Sequence, residues 1–192
     1  MTGMTKFAVF ASGSGTNFQA INDAVQEGKL PGEAVLVVTD KPGALIVERA
    51  EKAGMEVLAI KPAGFSSKAV YEQLILEKLR ELDVEWIVLA GYMRLIGDVL
   101  LAAFPNRIIN IHPSLLPAFP GKDAIGQAMD HGVKVTGVTV HYVDAGMDTG
   151  TIIAQQAVEV VEGNRAQTEE RIHAVEHALY PKALQQLFVG KL

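Results

Sequence analysis

The stretch "FAVFASGSGTNFQAI", Phe7 to Ile21, decides the fold. "FAVFA" (Phe7 to Ala11) is short and apolar at every position, the pattern of a strand covered on both faces. Gly13 and Gly15 then give a turn, and a helix is expected from about Thr16 to Glu27. A buried strand feeding a helix through a glycine turn is the opening of a βαβ unit in a parallel sheet.

The same alternation continues outward. "AVLVVTD" (Ala34 to Asp40) predicts a second strand and Ala44 to Ala53 a helix. "EVLAI" (Glu56 to Ile60) is a third strand. Tyr71, Leu74, Ile75, Leu79 and Leu82 recur at helical spacing within Ser67 to Leu82. "WIVLAG" (Trp86 to Gly91) is a fourth strand, Asp98 to Phe104 a short helix, and "RIINIH" (Arg107 to His112) a fifth strand. After that the character changes. Gln127 to His131 closes a helix, and "KVTGVTVHYVD" (Lys134 to Asp144) and "GTIIAQQAVEV" (Gly150 to Val160) alternate like an antiparallel pair joined by "AGMDTG". A last helix runs from about Gln167 to Leu187, with Tyr180–Pro181 as a place for a bend. The expected class is α/β: a Rossmann-like, mostly parallel sheet with helices on both faces and mixed, antiparallel strands in the C-terminal half.

The 192 residues suit a single domain, 1–192, and 49% apolar residues suffice for a packed core. A net charge of −5 without a basic block argues against nucleic acid as a partner. No apolar run approaches the roughly 18–20 residues that span a bilayer. The apolar run of "MTGMTKFAVFASGSG" ends in a glycine loop instead of a secretory cleavage site, and there is no cysteine; both features fit a cytoplasmic protein. Without cysteine, zinc–thiolate sites and thiol nucleophiles are excluded.

Gly13 and Gly15 allow backbone N–H groups to approach an anion at a helix N-terminus, and Thr16 or Asn17 can cap that helix or donate to a phosphate oxygen. A dinucleotide fingerprint needs glycine or alanine where Phe18 stands, and no Gly-Lys-Ser/Thr follows, so the loop suits one phosphate of a small nucleotide. Asp40 and Asp144 read as turn residues. Asn110 and His112 are two apart on the fifth strand, so both point to one face, roughly 7 Å apart. They stand at the C-terminal end, where open parallel sheets bind ligands, and Pro113, Pro117 and Pro120 then stiffen a loop. An amide and an imidazole converging there can stabilise an oxyanion and move a proton. Asp144 or Asp148 could reach His112. His141, within an alternating strand, could face solvent. A metal site of His112, His141 and an Asp lacks supporting spacing. In "GYMRLIG" (Gly91 to Gly97), Met93, Leu95 and Ile96 could line an apolar slot for a flat ring. No G-x-S-x-G elbow is present, which disfavours acyl-serine chemistry.

The ordered set "ASGSGTNFQAI", "LAGYMRLI", "NIHPSLLPAFPG", "HYVDAGMDTGTIIAQ" and "EHALYP" resembles the folate-dependent phosphoribosylglycinamide formyltransferases of purine biosynthesis, over almost the whole chain. The resemblance implies the formyltransferase fold, with a nucleotide-phosphate-binding half (about 1–105) and a catalytic and folate half (about 106–192). It implies Asn110, His112 and Asp148 as the catalytic trio, which selects Asp148 over Asp144. It places the ribonucleotide on Gly13, Gly15, Thr16, Asn17, Phe18, Gln19 and Glu176. It places the folate on Lys68, Met93, Arg94, Leu95, Ile96 and Asn110. The implied co-substrate is 10-formyltetrahydrofolate, with no metal, small molecules as the only other partners, no membrane, and a monomer or homodimer. The implied rival is a 10-formyltetrahydrofolate deformylase; a non-catalytic nucleotide-binding module would leave the trio without a role. "FPGKDAIGQA" departs from members that carry a histidine after P-G-x.

Overall fold

The computed structural model describes residues 3–190. The elements are β1 (Thr5–Phe10), α1 (Thr16–Gln26), β2 (Gly32–Thr39), α2 (Leu45–Lys52), β3 (Glu56–Ala59), α3 (Lys68–Glu81), β4 (Trp86–Leu89), α4 (Asp98–Ala103), β5 (Ile108–His112), α5 (Ala124–His131), β6 (Val135–Tyr142), β7 (Ile152–Glu159) and α6 (Arg165–Phe188). They build one seven-stranded sheet in the order β3-β2-β1-β4-β5-β6-β7. β1 to β5 are parallel, while β6 pairs antiparallel with both β5 and β7.

Period-two alternation sends side chains of β1 into two cores. Phe7, Val9 and Ala11 join Phe18 and Ile21 of α1, Ile46 of α2, and Ile172, Tyr180 and Leu184 of α6. Ala8 and Phe10 join Tyr71, Ile75 and Leu79 of α3 and Leu100 of α4 on the other face. This double cover is why the strands are apolar throughout. α5 ends at His131 as expected and starts at Ala124, where the Asp123 carboxylate accepts the Gly126 amide and caps the helix. α6 passes through Pro181 as one element.

The strand order reverses about β1, whose neighbours are β2 and β4, and that is where open sheets form a crevice at the C-terminal strand ends. The loops after β1, β4 and β5 all open into it. Tyr180 ties β4 to β5 from below: its hydroxyl, fully buried, donates to the carbonyls of Leu89 (2.6 Å), the last residue of β4, and Ile109 (3.2 Å), the second of β5. Its burial pushes the phenol's pKa well up, so it stays a donor. Tyr180→Phe should therefore destabilise the protein by about 1–2 kcal/mol, the scale of lost buried hydrogen bonds. Urea unfolding measures this, and an unchanged midpoint would contradict the role given to the hydroxyl.

Candidate active site

The glycine loop is shaped from outside. Gly13 and Ser14 turn their carbonyls toward α2, accepting from the Ile46 amide (3.1 Å) and Arg49 Nε (2.7 Å). Gly15 has φ +75°, and a Cβ there would meet Ile46 Cδ1 at 2.6 Å, so only glycine fits. The amides of Gly13, Ser14, Gly15, Thr16 and Asn17 donate to no acceptor among the described residues, and α1 has no side-chain cap. That is a nest of free donors at a helix N-terminus, suited to an anion. Thr16 and Asn17 do not cap the helix; Asn17 Nδ2 donates instead to Glu176 Oε2 at 3.2 Å. Glu176 is buried and also pairs with His173 Nδ1 at 3.1 Å, which raises the pKa of His173 above 6.5.

The loop after β4 is tied to the same place. Ser12 Oγ accepts the Met93 amide (2.9 Å) and donates to Asp40 Oδ1 (2.5 Å). Asp40 thus fixes the two loops together. Glu72 accepts the Gly97 amide at 2.7 Å and anchors the other end of that loop. Met93 and Leu95 are exposed, whereas Ile96 is buried; all three line the cavity.

Asn110, His112 and Asp148 converge. His112 Nε2 lies 2.9 Å from the Phe119 carbonyl, and Nδ1 lies 3.5 Å from Asp148 Oδ2. Both ring nitrogens therefore face oxygens, which a ring carrying a proton on each would satisfy. The gap of 3.5 Å exceeds a charge-assisted hydrogen bond, so Nδ1 can also serve an oxygen entering beside it. Asp148 is held by the Gly121 amide at 2.8 Å and has a left-handed backbone, φ +56°. Gly150 lets that turn cross closely over the Tyr142 carbonyl, which a Cβ would overlap at 1.6 Å. Asp144 accepts from the Gly146 amide (3.0 Å) and Thr149 Oγ1 (2.6 Å), the work of a turn residue.

His141 does not face solvent. β6 is covered on both faces, and its antiparallel pairing sets His141 opposite Asn110, on the same face of the sheet. Its Nδ1 lies 2.8 Å from the Tyr142 carbonyl and must donate there, so Nε2, 3.4 Å from Asn110 Nδ2, is the acceptor that orients the amide. Burial lowers its pKa below 6.5, which keeps it neutral beside Asp148 Oδ1 at 3.8 Å.

These groups share one cavity of about 680 Å³, whose wall includes Gly13 to Asn17, Met93 to Ile96, Asn110, His112, His141, Asp148, His173 and Glu176. Three expected contacts fall outside it. The Phe18 side chain is fully buried in the core, because it is the first apolar position of α1 that faces the sheet. Gln19 turns along α1 to donate to Asp23 (2.9 Å) and accept from Arg49 (3.4 Å). Lys68 sits in the first turn of α3 behind Gly97 and is not part of the wall. Two residues enter that the sequence did not single out, His173 and Gly121; the His173–Glu176 spacing of three along a helix was the available signal for the first. His177 faces away from this cavity, toward a shallow cleft along α6. Among the described residues no cluster of three His, Cys, Asp or Glu is placed to hold a metal ion, and no helix is long and apolar enough to cross a membrane.

Residues 5–184 match the family described as formyl transferase. The chain belongs to that family. It is 57% identical to the phosphoribosylglycinamide formyltransferase of Bacillus subtilis (strain 168), covering 96% of this chain and 95% of that protein. The crystal structure of glycinamide ribonucleotide transformylase 1 from Geobacillus kaustophilus superposes with a TM-score of 0.94 at 57% identity, covering 96% of this chain and 99% of that one. The chain is also 43% identical to the trifunctional purine biosynthetic protein adenosine-3 of Drosophila pseudoobscura pseudoobscura, over 97% of this chain but 14% of that much longer protein.

The buried histidine carries a pH signature. In the unfolded chain His141 binds a proton near its ordinary pKa of 6.5, while in the fold it resists doing so. Stability is then full above about pH 6.5 and declines as pH falls toward the lowered value; His177, also lowered by burial, adds with the same sign, and His173 opposes. His141→Gln should flatten the acid-side fall of the unfolding free energy. An equally steep fall in the variant would contradict the assignment.

Proposed function

We propose that this family member transfers the formyl group of 10-formyltetrahydrofolate to the amine of 5′-phosphoribosylglycinamide. The products are formylglycinamide ribonucleotide and tetrahydrofolate, a step of de novo purine biosynthesis. One observation carries the proposal: the unpaired amides of Gly13 to Asn17 and the Asn110–His112–Asp148 group open into the same cavity. An anion site beside an oxyanion-stabilising site suits a phosphorylated acceptor that must reach an acyl donor.

The phosphate takes the amides of Gly13, Gly15, Thr16 and Asn17, with the helix field of α1 behind them. Glu176, oriented by Asn17 and His173, faces the remainder of the ribonucleotide. The folate ring lies on Met93, Leu95 and Ile96, with Arg94 and Asn110 at its polar edge. The acceptor amine attacks the formyl carbon, forming the new C–N bond, and charge develops on the formyl oxygen. Asn110 Nδ2, held by His141, and His112 Nδ1 donate to that oxygen. The amine's proton passes by way of Asp148 and water to N10 as the old C–N bond breaks. No metal takes part. The halves 1–105 and 106–192 supply the phosphate loop and the trio respectively, in a cytoplasmic monomer or homodimer.

Asn110→Ala removes one oxyanion donor and should lower kcat by roughly 10²–10³-fold, with a much smaller change in KM. Gly15→Ala should instead raise KM for the ribonucleotide, since both the left-handed backbone and the contact with Ile46 forbid a side chain. Steady-state formyl transfer measures both. Normal turnover by Asn110→Ala would contradict its role.

A further inference from the structure

His112 and Asp148 are both held by one stretch of backbone. The Phe119 carbonyl faces His112 Nε2, and the Gly121 amide binds Asp148 Oδ2. The placement of residues 119–123 therefore sets how the catalytic imidazole and carboxylate meet. The preceding part of this connection is anchored in the interior: Thr139 Oγ1 donates to the Ser114 carbonyl and accepts the Leu116 amide, and Gln155 donates to the Leu116 carbonyl. Residues 119–123 have no such support. Phe119, Gly121 and Asp123 all have left-handed backbones, with φ +52°, +79° and +52°. For two of these residues that conformation is strained and persists only when neighbours impose it.

Besides His112 and Asp148 themselves, what holds it from outside the segment is α5 and one ion pair. Gln127 donates to the carbonyls of Pro120 (2.9 Å) and Lys122 (2.8 Å). Asp123 receives Arg165 in two-pronged fashion, Nη2 to Oδ1 at 2.6 Å and Nη1 to Oδ2 at 3.2 Å. Arg165 stands at the first residue of α6, where the helix field disfavours a cation. Its guanidinium is turned out of that field, to Asp123 across the chain and to Glu169 at 2.7 Å on its own helix. The pairing with Arg165 holds the Asp123 carboxyl below its ordinary pKa.

We propose that Asp123 and Arg165 are positioning residues: their ion pair fastens the β5–α5 connection to the start of α6, and through Gly121 it fixes Asp148 against His112. The pair acts on the reaction without touching the reacting atoms. It stands in the segment "FPGKDAIGQA", where the sequence departs from the members with a histidine. The inference rests on the proposed formyl transfer for its kinetic consequence, but its structural half is independent of activity.

The test uses Asp123→Asn, which keeps a capping oxygen and a residue tolerant of the left-handed backbone, together with Arg165→Ala and the double variant. Hydrogen exchange at the Gly121 amide and steady-state kinetics are measured on each. Both single variants should exchange Gly121 faster. Each should lower kcat about two- to fivefold, the range an exposed ion pair supports, with KM for the ribonucleotide unchanged. The double variant should match the single ones, since they break the same pair. About 0.5 M salt should bring the wild type to the same level. Wild-type exchange and kcat in both single variants, or a double variant whose loss is the product of the two, would overturn the proposal. If the wild type transfers no formyl group, the functional reading fails and the exchange at Gly121 alone decides the fate of the pair.

Discussion

Strand β5 has a parallel neighbour on one edge and an antiparallel one on the other, and the active centre follows from that. On the parallel side, Leu89 of β4 stands beside Asn110, which aligns the β4 loop with the end of β5. On the antiparallel side, Asn110 stands beside His141, so the strand that returns brings a buried imidazole against the catalytic amide. The connection from β6 to β7 then carries Asp148 back to His112. A fully parallel sheet would have sent β6 away by a crossover and left the end of β5 with loops alone.

Polar groups buried in such a place need fixed partners, or they would destabilise the fold and wander between roles. Each has one. The Tyr142 carbonyl fixes the tautomer of His141, and His141 orients Asn110. The Phe119 carbonyl fixes His112, and the Gly121 amide fixes Asp148. Burial lowers the pKa of His141, which favours the neutral ring beside Asp148. Among the non-glycine left-handed residues, Phe119, Asp123 and Asp148 lie in the two loops that face this cluster, where such backbone is held by hydrogen bonds instead of by regular structure.

The sheet was legible because its strands are apolar on both faces and short, and because glycine turns separate them from helices. The antiparallel change after residue 131 was also legible, since alternation replaces uniform apolarity there. Asn110 and His112 announced themselves as polar residues ending a buried strand. Spacing left the choice between Asp144 and Asp148 open, and the resemblance selected Asp148; in the fold, Asp144 is spent on the Gly146 amide and the Thr149 hydroxyl of the turn. His141, for which alternation allowed a solvent-facing place, is buried, as alternation cannot reveal a second covered face. Gln19 and Lys68, which the resemblance assigned to the substrates, lie outside the cavity wall in the fold. Gly121 and Arg165 carried no local signal, since their partners lie 27 and 42 residues away.

The central claim is that the phosphate loop and the catalytic trio serve one reaction in one cavity. The most direct measurement follows the absorbance of 10-formyltetrahydrofolate with purified protein, with and without 5′-phosphoribosylglycinamide, and counts formyl groups recovered on the ribonucleotide. The account predicts that the donor is consumed only when the ribonucleotide is present, one formyl group transferred for each donor spent. Equal consumption without the ribonucleotide, with free formate as the product, would contradict it and make water the acceptor.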